Sequence, residues 1–226
     1  MVAVSGFFGL RFMRLCRRVE SLRPIVLAAL AVSGLLGCAS IPEPSGDEAA
    51  ARAAFAERSA RLEAVDTWRL AGRLILELPE ETWTGQLGWR AEGPEQVIDL
   101  SGPMGRGGGR LVLGGHRAVL LTRDGERYQA SDPDRLIALI TGREIPVSGL
   151  DAWVRGIARP GAGFDLRADT GGRPSRLIQD GWEILYGAFE DAGAALMPAS
   201  LELRRGDMRL QLRIHRWQLG QPAPAS

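Results

Sequence analysis

Lysine is absent from this 226-residue chain, so all 28 basic residues are arginine. That absence excludes a Gly-Lys-Ser/Thr phosphate loop, despite the glycine-rich stretch at 102–109. Cysteine and histidine occur twice each, which leaves little room for a disulfide framework or a His-rich metal site. The apolar run at 25–32 falls short of the roughly 20 residues that a bilayer-spanning helix requires. Charge of one sign is not in excess either: the formal net charge is +1, unlike that of a typical nucleic-acid binder. What is present is a normal globular balance, 45% hydrophobic and 24% charged, which excludes wholesale disorder. The length favours one domain with at most a leader and a tail. Together these features favour a secreted or membrane-tethered β protein over a cytosolic enzyme.

Residues 1–37 read as an export signal. Arg11, Arg14, Arg17, Arg18 and Arg23 precede the apolar run Ile25–Val32, and Met13 is an alternative start. The run leads to Leu35-Leu36-Gly37-Cys38, which resembles the lipobox of bacterial lipoproteins, where the cysteine thiol carries diacylglycerol. Cleavage before Cys38 leaves 189 residues with 23 Arg against 26 acids, a charge of −3, and removes Cys16. Cys38 is therefore expected to be a lipid anchor and not a redox or metal residue. Several acyl chains hold a protein stably where one does so only marginally. Enterobacterial lipoproteins retained at the inner membrane carry Asp after the cysteine; Ala39 here implies the outer membrane. Residues 38–46, with Pro42 and Pro44, form a short tether.

The domain spans 47–219. From Asp47 to Val65 the composition is rich in Ala, Glu and Arg, and Ala51, Phe55, Arg58, Leu62 and Val65 keep a helical spacing. Asp47 or Ser45 supplies the cap. The period then becomes two. Trp68, Leu70, Gly72, Leu74 and Leu76 alternate with polar residues, as do Trp83, Gly85, Leu87 and Trp89. Further strands are predicted at 95–101, 110–114, 117–122, 127–130, 163–168, 173–179, 182–186, 199–204 and 208–217. Asp124-Gly125, Asp180-Gly181 and Gly206 mark hairpin turns. About eleven strands joined by short turns imply an antiparallel sheet with one apolar and one wet face.

Two short helices interrupt the strands. Ser131-Asp132-Pro133-Asp134 opens the first with a capping residue and a first-turn proline; Leu136, Ile137, Leu139 and Ile140 form its apolar side, and Gly142 ends it. Ser148 and Asp151 form a capping-box-like pair for the second, which carries Leu150, Trp153 and Val154. Such a helix pair between two halves of a sheet suits a lid over its open face. Residues 220–226 form a tail.

Trp68-x-Leu70-x-Gly72-Arg73, Leu100-Ser101-Gly102-Pro103-Met104-Gly105, Tyr128-x-Ala130, Ile145-Pro146-Val147, Trp153-Val154-x-Gly156, Trp182-x-Ile184-x-Tyr186-Gly187 and Met197-Pro198-Ala199 run in order along the domain. This set, with the lipobox, resembles the LolB family of outer-membrane lipoprotein receptors. The resemblance implies a mainly β fold with helices: an unclosed half-barrel of about eleven antiparallel strands, with helices covering the concave apolar face. It implies a receptor that accepts triacylated lipoproteins from the periplasmic carrier LolA and inserts them into the inner leaflet of the outer membrane. The protein would then be anchored at Cys38 and face the periplasm as a monomer, its partners LolA, lipoprotein cargo and outer-membrane phospholipid. In an ordinary β domain the tryptophan and leucine stripes are simply core. The resemblance turns part of them into a wall for acyl chains, with Trp68, Leu70, Leu74, Leu76, Trp83, Leu87, Trp89, Ile98, Leu100, Leu139, Leu150, Trp153, Ile184, Leu210 and Leu212 as candidates. It also marks Pro103, Met104 and Gly105 as a membrane-insertion loop, with Met104 where the family carries leucine. Without the resemblance Met104 reads first as a residue folded back into the core. Arg106 and Arg110 would meet anionic headgroups.

No catalysis, metal or cofactor is expected. His116 and His215 stand 99 positions apart, without a nucleophile-elbow serine or a paired ligand. Asp99 reads as surface. The runner-up is an anchored half-barrel that binds another lipid or acts as an envelope assembly scaffold; an anchored periplasmic hydrolase is weaker.

Overall fold

The structure, a computed structural model, describes residues 46–103 and 107–220. Residues 1–45, 104–106 and 221–226, where the sequence places the leader, most of the tether, Met104 and most of the tail, lie outside them.

Helix α1 (Gly46–Glu63) buries Ala51, Phe55, Arg58 and Leu62 along one stripe, as the spacing predicts. Strands β1 (Thr67–Glu77), β2 (Thr82–Glu92), β3 (Glu95–Ser101), β4 (Gly108–Gly114), β5 (Arg117–Thr122) and β6 (Arg127–Ala130) form a meander. Helices α2 (Pro133–Thr141) and α3 (Val147–Val154) follow. The chain returns through β7 (Phe164–Ala168), β8 (Pro174–Gln179), β9 (Trp182–Tyr186), β10 (Phe189–Asp191), β11 (Leu196–Pro198), β12 (Ser200–Arg205) and β13 (Met208–Leu219). Eleven strands make one antiparallel sheet in the order β6-β5-β4-β3-β2-β1-β13-β12-β9-β8-β7. β6 and β7 are its two edges and do not pair, so the barrel is unclosed, as expected.

This order explains where the helices lie. The first meander ends at one edge and the second begins at the other, so α2 and α3 must cross a face of the sheet. They cross the apolar one, because their own apolar sides need a dry partner.

Four local expectations fail for identifiable reasons. The ribbon of β10 and β11 was not anticipated; it has only three residues a side and no alternating stripe to reveal it. β4 starts at Gly108, not 110: a Cβ at Gly108 would stand 2.4 Å from the Leu100 carbonyl oxygen, and one at Gly109 2.6 Å from that of Leu121. The glycines thus permit strand pairing at close approach instead of marking a loop. Ser148 does not cap α3. Its N–H and hydroxyl both donate to Asp134 of α2, at 2.8 and 2.5 Å, and Pro146 holds the N-cap position without a side-chain bond. Finally, Leu139 faces solvent. At about 100° per residue, Leu136, Ile140 and Ile137 span one arc, and Leu139 falls well outside it.

Candidate functional site

Pairing register carries the inward face of β1 across the sheet in continuous rows. One runs Tyr128, Leu120, Leu111, Ile98, Trp89, Leu70 and Trp217 through seven strands. The next holds Leu100, Leu87, Gly72 and Ile214. Leu74 and Leu212 lie opposite each other, as do Leu76 and Leu210, with Trp83 beside Leu76. Leu210 continues to Leu203, Ile184, Leu177 and Leu166. Trp68, opposite Ala91, falls in the row at the other end. Every strand residue named as a candidate wall therefore shares this face.

The face is not uniformly closed. Trp68, Leu70, Leu87, Trp89 and Ile98 are buried, with the Trp68 ring 5.3 Å from Trp89 and 5.8 Å from Trp217. Leu210, Leu212 and Ile184 are buried as well. By contrast Leu74, Leu76, Trp83 and Leu100, towards the glycine-rich loop, are only half-buried. The Trp83 indole folds over Gly85, where a Cβ would be 2.2 Å from the ring, and its Nε1 approaches Gly107. An indole thus stands at the foot of the loop. From the lid, Trp153 is fully buried at 0% exposure and Leu150 is half-buried. Leu139 is 79% exposed, which removes it from the wall of the inner face in this structure.

A small polar framework holds the lid. Gln179 is buried on the inner side of β8; its Oε1 accepts from Trp153 Nε1 and the Arg159 N–H, both at 2.8 Å, and its Nε2 donates to the Arg159 and Ala162 carbonyls. Every polar atom of the amide is thereby used. The Tyr186 hydroxyl donates to the Trp153 carbonyl at 3.0 Å, and burial pushes its pKa up. Arg155, near the end of α3, donates to the Leu62 carbonyl of α1 and to Asp151, and its guanidinium lies over the Trp68 ring. Arg58 of α1 donates to the Arg155 carbonyl at 3.2 Å and lies over Phe189. Burial lowers the Arg58 pKa to about 10. Gln179 was missed in the sequence, although its parity with Leu177 offered a signal.

Pro103 is exposed at the entry to the loop. Cys38, Met104, Gly105 and Arg106 lie outside the described residues. Arg110 is engaged by Asp99 through two bonds, at 2.6 and 3.2 Å, with its side chain still exposed. A 760 Å³ cleft lies among Asp47, Glu48, Arg52, Asp165, Asp169 and Arg176, and a 350 Å³ groove among Phe55, Ala56, Ala60, Pro160 and Phe164. Neither is walled by Trp68, Leu70, Trp89 or Trp153. Both histidines are exposed. Among the described residues no cluster of His, Cys, Asp or Glu is placed to hold a metal, and no helix is long and apolar enough to cross a membrane.

An antiparallel sheet open at both edges, with one apolar face roofed by helices, defines the class: a half-barrel with an apolar inner face. The sequence model for outer membrane lipoprotein LolB matches residues 66–217. The outer-membrane lipoprotein LolB of Alkalilimnicola ehrlichii is 36% identical over 196 residues, covering 86% of this chain and 96% of that one. That of Chromohalobacter salexigens is 34% identical over 204 residues, covering 90% and 94%. Among solved structures, a LolA superfamily protein from Nitrosomonas europaea aligns with a TM-score of 0.49 at 9% identity, over 76% of this chain and 94% of that one. The chain belongs to the LolB family of outer-membrane lipoproteins.

Proposed function

We propose that this protein, anchored in the outer membrane by acylated Cys38 and facing the periplasm, accepts triacylated lipoproteins from LolA and inserts them into the inner leaflet. The observation that carries this is the set of apolar rows on one face of an unclosed sheet, with exposure rising towards the glycine-rich loop. Leaving three acyl chains of about fifteen methylenes each in water costs on the order of 35 kcal/mol, at about 0.8 kcal/mol per methylene. A hand-over through an aqueous space therefore needs an apolar container at each end.

The half-buried border of Leu74, Leu76, Trp83 and Leu100 is the entry. Behind it Trp68 and Trp89 are buried, with Arg155 at the end of α3 over the Trp68 ring, so a chain passes deeper only when the lid shifts and exchanges protein contacts for lipid ones. Direction comes from differential affinity, receptor over carrier and then bilayer over receptor. Met104, at the tip of a loop flanked by Pro103 and Gly105, supplies the apolar group that enters the leaflet.

The test is transfer of a triacylated lipoprotein from loaded LolA to the purified protein, then to vesicles. In Met104→Glu, uptake persists and insertion into vesicles is lost. Normal insertion by that variant defeats the loop's role. Uptake of free fatty acid with indifference to LolA defeats the receptor reading.

A further inference from the structure

The outer face of the sheet, opposite the lid, carries an uncompensated basic cluster. Arg73 of β1 lies directly opposite Arg213 of β13, and Arg69 opposite Arg90 of β2. Arg216 pairs with Ala71, next along β1 on the same face. Like charges directly opposite each other weaken a sheet, and here the pairing recurs at its centre. Glu92 answers Arg69 at 3.0 Å, but among the described residues Arg73, Arg90, Arg213 and Arg216 have no acid within ion-pair distance. Nearby outward arginines do: Arg110 meets Asp99, Arg204 meets Glu202, and Arg209 meets Glu77 and Glu202. All four unanswered side chains are exposed.

We propose that this cluster docks the outer face on anionic phospholipid headgroups of the membrane that holds the anchor, an inference that rests on the reading of Cys38 as acylated. Two observations select that occupant. Four unpaired guanidinium groups complement phosphate, for which each supplies several donors. The chain between Cys38 and Gly46, eight residues, reaches under about 30 Å, so the domain never leaves the neighbourhood of the leaflet. A weak electrostatic surface is then sufficient to orient it. Docked in this way, the lid and the apolar inner face turn away from the membrane, towards an incoming carrier; release of the arginines frees the domain to bring its loop to the leaflet.

Processing at Cys38 leaves no other cysteine, so single cysteines can be labelled cleanly. The acylated protein, carrying a fluorophore at Gln86→Cys beside Arg73 or at Leu139→Cys on the lid, is reconstituted in phosphatidylcholine vesicles with and without phosphatidylglycerol. A headgroup-attached quencher reports contact. Quenching is expected at position 86 and not at 139, only with phosphatidylglycerol, and is lost in high salt. Arg73→Gln with Arg213→Gln lowers the ratio of docked to free domain about fivefold per charge removed. Equal quenching on neutral vesicles, no effect of the double variant, or occlusion of position 86 by LolA in place of lipid overturns the proposal. Lipoprotein uptake from LolA in the same preparation reports separately on the receptor reading.

Discussion

Arg155 illustrates how single side chains hold the roof on the sheet. Its guanidinium joins Leu62 of α1, Asp151 of α3 and the Trp68 ring. Removing it leaves the Leu62 carbonyl with the Val65 N–H alone and strips Asp151 of its guanidinium, where Oδ1 already lacks a partner among the described residues. Arg155→Ala is therefore expected to cost about 3 kcal/mol, read as a lowered urea midpoint. Arg58 and Tyr186 act oppositely under alkaline conditions. With its pKa held near 10, folded Arg58 sheds a proton that the unfolded chain retains, so its contribution to stability rises with pH above that value. Tyr186, raised by burial, keeps its proton when the unfolded chain loses it, so its contribution falls as pH rises above the usual tyrosine value of about 10. The two offset each other in wild type. Arg58→Met removes the rising component, and its urea midpoint should fall more steeply between pH 9 and pH 11, about one unit either side of the tyrosine value, than that of wild type. A parallel fall in both proteins contradicts this account. Arg58 was legible as a member of the α1 stripe, but nothing in the sequence shows that its charge is buried, because its carbonyl partner lies 97 positions away.

At the scale of elements, the lid is one unit because α2 caps α3. Asp134 sits in the first turn of α2, where Asp132 already accepts from its own helix, and is left to receive the N–H and hydroxyl of Ser148. The local sequence Ser148-x-x-Asp151 imitates a capping box, yet Pro146 starts the helix early and Asp151 is taken by Arg155. Local spacing offered the wrong partner because the right one is fourteen residues away on another helix. Asp134→Ala should cost about 1 to 2 kcal/mol and raise amide exchange at 147–150 before it affects the sheet. Unchanged exchange there shows that the two helices do not depend on each other. The strands were easier to read, since alternation is a local consequence of the pleat; Leu74 to Leu76 or Trp83 to Leu87 needs no distant information to choose a face.

For the whole molecule the question is whether the lid must move. Glu144, between α2 and α3, meets Arg205 at the end of β12 at 3.1 Å, joining the lid to the second half of the sheet. Both are exposed, so the pair itself contributes little to stability. A short bismaleimide joining Glu144→Cys to Arg205→Cys should block lipoprotein uptake from LolA, with uptake restored when a cleavable linker is cut. Undiminished uptake by the linked protein means that chains enter without displacing the lid. The sequence by itself determined the strands, their inward and outward faces and the helix pair, because backbone periodicity and turn chemistry act over a few residues. It also carried the order of motifs that agrees with family membership. Only the tertiary structure decided that β6 and β7 stay unpaired, that Trp68 and Trp153 are packed while Leu74 and Trp83 stay half-open, and that Arg73 faces Arg213. Those outcomes depend on register and on the long crossover between edges, which bring together residues that no local pattern connects.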